Sequence, residues 1–230
     1  MFIGKIVKSD SQTNYVCQIY GHLEVELEPS PADYAFGRFV RVATPKPLQL
    51  VHGGTDPAYI DRQKSIIYLV GVIYNTLLVN PGFSSFGLRL APSEVQAEIF
   101  TPDYFSEKAV LVHLIALGMG EMRITNDARE FIPLMQGVPP LSAKLGGEVE
   151  TMDDDEIRAF HYFSDSTHPG GAPYLHLGYL PHIIAQQNSL LPLAILRIID
   201  QLEHLFPQNL TLLSILKRNF AWRLKVETTG

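Results

Sequence analysis

Hydrophobic and polar positions in the first half of the chain follow the two-residue period of β-strands. The longest uncharged apolar run, SIIYLVGVIYNTLLVN at residues 65–80, is rich in β-branched and aromatic residues and ends before Pro81 and Gly82. It lacks the caps and the polar face that a helix of this length needs. We interpret it as a long buried strand that is bent or bulged at Gly71, and a bent strand of this kind typically closes a small barrel.

Shorter strands are predicted before and after this central strand. Their alternating residues lie at 2–8, 14–20, 24–28, 34–42, 95–99 and 109–117, and turn formers separate them. Residues 44–64 hold three prolines, two adjacent glycines and little periodicity, which predicts a surface loop. Because no helical pattern interrupts the strands, residues 1–120 are predicted to form a β-domain, either a barrel or a sandwich.

Residues 121–186 predict a mixed segment. The stretch 120–147 is rich in proline and glycine and is interpreted as irregular. Thr151 is expected to cap a helix that has an acidic first turn at 153–156 and continues to Phe163. The apolar residues 175–180 predict one further strand.

Residues 187–230 follow the period of amphipathic helices instead. One predicted helix covers 192–206 and a second covers 211–227. Their apolar stripes contain Ile195, Ile199, Leu202 and Phe206 in the first helix, and Leu213, Leu216, Phe220 and Leu224 in the second, widened by Leu212, Ile215, Trp222 and Val226. The short connection predicts a helical hairpin, and the whole chain is predicted to be α+β.

Composition narrows the functional classes. The chain has 230 residues, 46% of them hydrophobic, and a net charge of -6, which counts against a dedicated nucleic-acid-binding domain. Direct DNA binding is therefore expected to be weak or absent. The single cysteine, Cys17, is expected in the core and favours a reducing compartment. With no apolar stretch long enough for a signal peptide or a membrane span, we expect a cytoplasmic protein without membrane contact.

Several segments resemble a known family. The segments FIGKIV at 2–7, GRFVRV at 37–42 and LVGVI at 69–73 resemble the HAS-barrel, the small β-barrel shared by HerA-type DNA-translocating ATPases and rotary ATP synthases. The segments GVPP at 137–140, DDDEIRAF at 153–160 and LGYL at 177–180 are similar to the region ahead of a HerA ATPase core.

The resemblance implies a HAS-barrel in the N-terminal part, with Gly37 and Gly71 shaping it. A HerA ATPase continues into a phosphate-binding loop of the form GxxxxGK[ST], which this sequence does not contain. The resemblance therefore implies a non-catalytic accessory module without a cofactor. Its expected partner is a HerA-like ATPase or a nuclease in DNA processing or repair, and homo-oligomers are compatible with the family.

Cationic and aromatic side chains supply the candidate interface residues. Two of them, Arg38 and Arg41, are expected on the solvent side of the predicted strand 34–42. The last helix carries a basic face, which suits either an acidic partner or ordinary solvation. The candidates on this helix are Lys217, Arg218, Trp222 and Arg223.

Two alternatives belong to other functional classes. A metal-dependent hydrolase or nuclease could use His161, His176 and Asp155, since histidine and carboxylate groups bind divalent metals. However, the histidine spacing matches no known metal motif, and consecutive acidic residues on a helix point in different directions. A DNA-binding module would use Lys217 and Arg218, against the acidic balance of the chain.

Overall fold

The computed structural model describes residues 1–21, 24–45, 64–79, 109–124, 129–163 and 174–227. In these ranges the chain is α+β, with a large antiparallel sheet and four helices that lie mostly in the C-terminal part. The strands are β1 (Phe2–Ser9), β2 (Asn14–Ile19), β3 (Phe39–Ala43), β4 (Lys64–Val79), β5 (Ala109–Ile124), β6 (Arg129–Gln136), β7 (Glu148–Thr151), β8 (Tyr162–Phe163) and β9 (Tyr174–Leu175). The helices are α1 (Asp154–His161), α2 (Leu180–Ile184), α3 (Leu191–Leu205) and α4 (Leu210–Glu227). The predicted strand 95–99 and most of the predicted loop 44–64 lie outside the described residues.

Seven strands form the main sheet in the order β2-β1-β7-β3-β4-β5-β6. Strand β2 also pairs with β5, so that the pairings of β1, β7, β3, β4, β5 and β2 return to β1. These six strands are called the strand ring below. Strand β6 pairs with β5 outside the ring, and β8 pairs with β9 in a separate small sheet.

The predicted central strand is confirmed as β4, which pairs with β3 on one side and β5 on the other. Its register against β5 shifts between Val70 and Gly71 and again between Ile73 and Asn75. A Cβ at Gly71 would lie 2.9 Å from the carbonyl oxygen of Ile115, closer than side chains normally approach backbone. The predicted irregularity at Gly71 is therefore confirmed, and the missing side chain lets β4 and β5 approach each other there.

One face of the strand ring carries a core whose buried residues all lie on strands. We call this core the strand cluster. Every strand of the ring contributes to it, as alternation predicts. Its buried members are Ile3, Ile6, Tyr15, Cys17, Ile19, Val40, Val42, Leu69, Ile73, Val112, Leu114, Ala116 and Val149. Cys17 is fully buried in this cluster, as predicted, and burial raises the pKa of its thiol to about 12.

The opposite faces of β3, β4 and β5 pack beneath the helices and form a second core, called the helix cluster. Its strand members include Phe39, Val70, Val72, Ile115 and Leu117. Its helix members include Ile157, Phe160, Ile183, Ala194, Ile195, Ile198, Ile199, Leu202 and Leu213. The helices thus cover a surface of the sheet that would otherwise expose large apolar side chains to water.

Two strand predictions and one prediction of irregular structure are wrong. Residues 24–28 alternate but form no strand, because β1 already pairs with β2 and β7 on its two sides; Leu27 is 73% exposed. The region 120–147 is not wholly irregular, since β5 continues to Ile124 and β6 follows. Pro133 is tolerated in β6 because this strand lies at the end of the sheet order. The predicted strand 175–180 is limited to Leu175 within β9, and α2 begins at Leu180.

The predicted acidic helix is confirmed as α1, but its cap is different. Thr151 is the last residue of β7, and Asp153 is the N-cap. The Asp153 carboxylate accepts from the Glu156 backbone N–H at 2.9 Å, and the Glu156 carboxylate accepts from the Asp153 backbone N–H at 3.1 Å. This is a reciprocal capping box, a stronger start signal than a lone Thr cap.

The predicted helical hairpin is confirmed by α3 and α4, which contact each other across a 3-10 turn at Pro207–Asn209. The predicted apolar face of α3 is buried: Ile195, Ile199, Leu202 and Phe206. In α4, Leu213, Leu216 and Phe220 of the predicted stripe pack on the core, whereas Leu212, Ile215 and Trp222 are exposed and do not widen it. None of the helices among the described residues has the length and apolar character needed to cross a membrane.

Candidate functional site

Arg41 does not lie on the solvent side of the sheet, contrary to the prediction. It is 8% exposed, and its guanidinium pairs with Glu150 at 2.8 Å and also with Glu156. The guanidinium carbon lies 4.8 Å from the ring centroid of Tyr68. Arg41 points away from the strand cluster, as predicted, but α1 covers that face. The residue therefore ties β3 to β7 and α1 and is not available to a partner.

Gly37 holds the turn before β3 against α3. Its φ of +83° is accessible to glycine, and a Cβ there would lie 2.3 Å from Cγ of Arg197. Its N–H donates to the Ile73 carbonyl at 2.7 Å, and its carbonyl accepts from Gln201 Nε2 at 2.6 Å. These contacts set the distance between the turn and the polar side of α3.

Arg38 lies beside a cleft between this turn and two helices. The cleft has a volume of about 300 Å³. Its lining residues are Ala32, Ala35, Phe36, Arg38, Asp154, Arg197, Gln201, His204 and Leu205. The Arg38 Nε is buried and has no hydrogen-bond partner among the described residues. Sequence reasoning missed the α3 side of this cleft, although its polar residues recur at the helical spacing i, i+4 and i+7.

The Lys217 side chain on α4 is paired with carboxylates of the same chain. Its ammonium pairs with Asp200 at 2.7 Å and with Glu203 at 2.7 Å, and these hydrogen bonds raise its pKa. Arg218 is exposed, whereas the Arg223 side chain lies outside the described part of the helix. The predicted basic face is thus reduced at Lys217, which instead joins α4 to α3.

An exposed apolar strip with one cation lies on the outer side of α4. Trp222 is 66% exposed, and Leu212 and Ile215 are also exposed. At about 100° per residue these three side chains and Arg218 fall within an arc of about 120°. We call this set the α4 face. Aromatic, aliphatic and arginine side chains in this combination are typical of protein interfaces.

His161 is a structural histidine. It is fully buried, and its Nδ1 lies 2.7 Å from the Ile157 carbonyl oxygen, so that Nδ1–H donates to that oxygen. Nε2 then accepts from the Tyr179 hydroxyl at 2.9 Å. Burial lowers the pKa of His161 to about 4 and raises that of Tyr179. Phe39 and Phe160 contact the imidazole edge-on.

The residues of the metal alternative are not brought together. Asp155 has a side chain 92% exposed and pairs with Arg158 at 2.7 Å. His176 is half-buried against Phe163, and burial lowers its pKa. In the part of the chain that the structure describes, no group of three or more His, Cys, Asp and Glu side chains could hold a metal ion. Asp155, His161 and His176 therefore do not form a metal centre.

Comparison with known proteins places the chain in a family without assigning a function. Residues 1–229 match the model of a family described as Domain of unknown function (DUF8166), and the chain belongs to this family. No curated protein matches the chain. Function is therefore inferred from the side chains described above.

Proposed function

We propose that this protein is a non-catalytic accessory module, built on a HAS-type barrel, that assembles with a HerA-like ATPase or a partner nuclease in DNA processing or repair in the cytoplasm. The observation that carries the proposal is the strand ring. Six strands pair in a circuit, share a core of buried strand residues, and include a strand with a register shift at Gly71 that pairs with two neighbours. These are the features that the resemblance of residues 2–7, 37–42 and 69–73 implies.

The α4 face is the proposed contact with the partner. Leu212, Ile215 and Trp222 offer apolar area, and Arg218 offers a guanidinium with no ion pair among the described residues. The matching surface is an apolar groove with a carboxylate opposite Arg218. DNA is the less suitable ligand, because the chain carries a net charge of -6 and Lys217 is already paired with two carboxylates.

Affinity purification from the native cells tests this proposal. The tagged full chain is compared with the double variant Ile215→Ser/Trp222→Ser at low and high salt, and captured proteins are identified by mass spectrometry. We expect the wild type to retain a HerA-like ATPase or a nuclease. The double variant should lose most of it, because Ile215 and Trp222 supply most of the strip's apolar area.

A matched control uses Leu193→Ser, which changes an exposed apolar residue on α3. This variant should capture the partner as the wild type does. ATP hydrolysis by the purified chain, or capture that is identical for all three proteins, would contradict the proposal. Light scattering on the same samples tests whether several copies assemble without the partner.

A further inference from the structure

The cleft beside Arg38 has a composition that the proposed assembly role does not use. One wall is the turn at residues 32–38, which contributes small apolar side chains, Phe36 and Arg38. The other wall is α3, which contributes Arg197, Gln201 and His204, and the first residue of α1, Asp154, lies at the margin. Polar groups form the larger share of the lining, beside a smaller apolar area. Polar groups that converge on one concavity fix the orientation of a small-molecule ligand.

Two guanidinium groups in this cleft have no carboxylate partner. Among the described residues, neither Arg38 nor Arg197 forms a salt bridge, and the Arg38 Nε has no hydrogen-bond partner although it is buried. A buried donor left without an acceptor costs free energy, which an incoming acceptor would recover. Arg41, three residues along, shows the contrast, since two carboxylates hold its guanidinium.

Acidic side chains near the cleft limit the charge of its ligand. Asp154 lines it. Hydrogen bonds from Ser30 lower the pKa of Asp33, and the positive charge of nearby Arg38 also lowers it. Because these carboxylates offset part of the charge of the two guanidiniums, the cleft favours a ligand with one negative charge over a dianion such as hydrogen phosphate. Guanidinium groups match a carboxylate in particular, through two parallel N–H···O bonds.

We propose that this cleft binds a small organic carboxylate with an apolar body. The carboxylate accepts from Arg38 and Arg197, and the apolar body contacts Phe36 and Leu205. Gln201 is held by its bond to the Gly37 carbonyl and so keeps the two walls at a fixed distance. The site is separate from the α4 face, and the proposal does not depend on a partner protein.

Isothermal titration of the full chain at constant ionic strength tests this assignment. The probes are benzoate, phenylacetate and hexanoate, with benzamide as the uncharged counterpart of benzoate and inorganic phosphate as an anion without an apolar body. We expect saturable binding of at least one carboxylate, with benzamide and phosphate at least about tenfold weaker.

Variants locate the binding. Arg38→Gln and Arg197→Gln should each weaken the carboxylate about tenfold or more, and Arg197 is exposed, so that its replacement leaves the core intact. Asp154→Asn should strengthen it severalfold by removing a like charge. Arg129→Gln, which removes an exposed guanidinium on β6 outside the cleft, should have no effect. Absence of saturable carboxylate binding, equal binding of phosphate, or unchanged affinity in both arginine variants of the cleft would overturn the proposal.

Discussion

The two cores of the molecule contain similar apolar side chains but join different elements, strands to strands in one and helices to the sheet in the other. The buried residues of the strand cluster all lie on strands. The helix cluster lies between the sheet and the helices, and the buried Arg41 and His161 lie around it. Backbone hydrogen bonds already join distant strands such as β1 and β7, but joining the helices to the sheet requires side chains. Polar side chains supply part of that joining, at the expense of desolvation.

The comparison is tested most strongly at Arg41. Replacing it in Arg41→Ala leaves Glu150 and Glu156 close together and without their cation, which should destabilise the protein by about 4 kcal/mol. Urea unfolding monitored by circular dichroism measures the change.

The control for this prediction is Arg123→Ala, which breaks the more exposed pair with Glu121. That variant should lose less than about 1 kcal/mol. Equal losses in the two variants would mean that the buried ion pairs of Arg41 do not hold α1 on the sheet.

The strand cluster should respond to lost volume instead. Ile73→Ala removes a fully buried side chain from β4 and should cost about 3 kcal/mol, because the surrounding strands cannot close the cavity. Differential scanning calorimetry and urea unfolding should agree on the loss. Leu78→Ala, at an exposed position of the same strand, provides the control and should change stability by less than about 0.5 kcal/mol.

The alternation of apolar and polar residues predicts the strand cluster well. It predicts poorly which residues of the sheet the helices cover. Val40 and Val42 alternate with Phe39 and Arg41, so that β3 and its inward face follow from local pattern alone. The burial of Arg41 does not, because Glu156 lies 115 residues away. A charged residue that alternates with valines is assigned to solvent unless the covering helix is known.

The errors in the strand predictions have the same origin. Residues 24–28 alternate, yet β1 is already paired on both sides, whereas β6 contains a proline and forms because β5 offers an edge. The cleft was predictable only in part. The spacing of Arg197, Gln201 and His204 marks the polar side of α3, but their proximity to Arg38 depends on how α3 packs on the turn at Gly37.

A pH series separates the two cores through His161. Its pKa is lowered from 6.5 to about 4 by burial, so between these values the unfolded chain binds more protons than the folded protein. The stability is therefore complete above about pH 6.5 and falls as the pH drops toward 4, by roughly 3 kcal/mol in total. Urea unfolding between pH 7 and pH 4.5 should show this loss in the wild type.

Substitution at two histidines assigns that loss. In His161→Phe the loss with falling pH should be much smaller, because the group that titrates on unfolding is gone. His176→Gln, at a half-buried histidine whose pKa burial also lowers, should keep most of the wild-type loss. A pH dependence that survives in His161→Phe would place the responsible group elsewhere, for example at His176 or His182, whose pKa values are also lowered by burial.

The smallest expected effect concerns the start of α1, where local and long-range order meet in one side chain. Glu156 accepts from the Asp153 backbone in the capping box and also pairs with Arg41. Asp153→Ala removes the cap and should cost about 1 kcal/mol, whereas Asp155→Ala, in the same turn, should cost a few tenths at most.

If the capping box positions Glu156 for Arg41, the two sites are coupled. The cost of Asp153→Ala should then be lower by about 0.5 kcal/mol or more in the Arg41→Ala background. Additive losses in this double-mutant cycle would show that α1 is fixed by its apolar face alone.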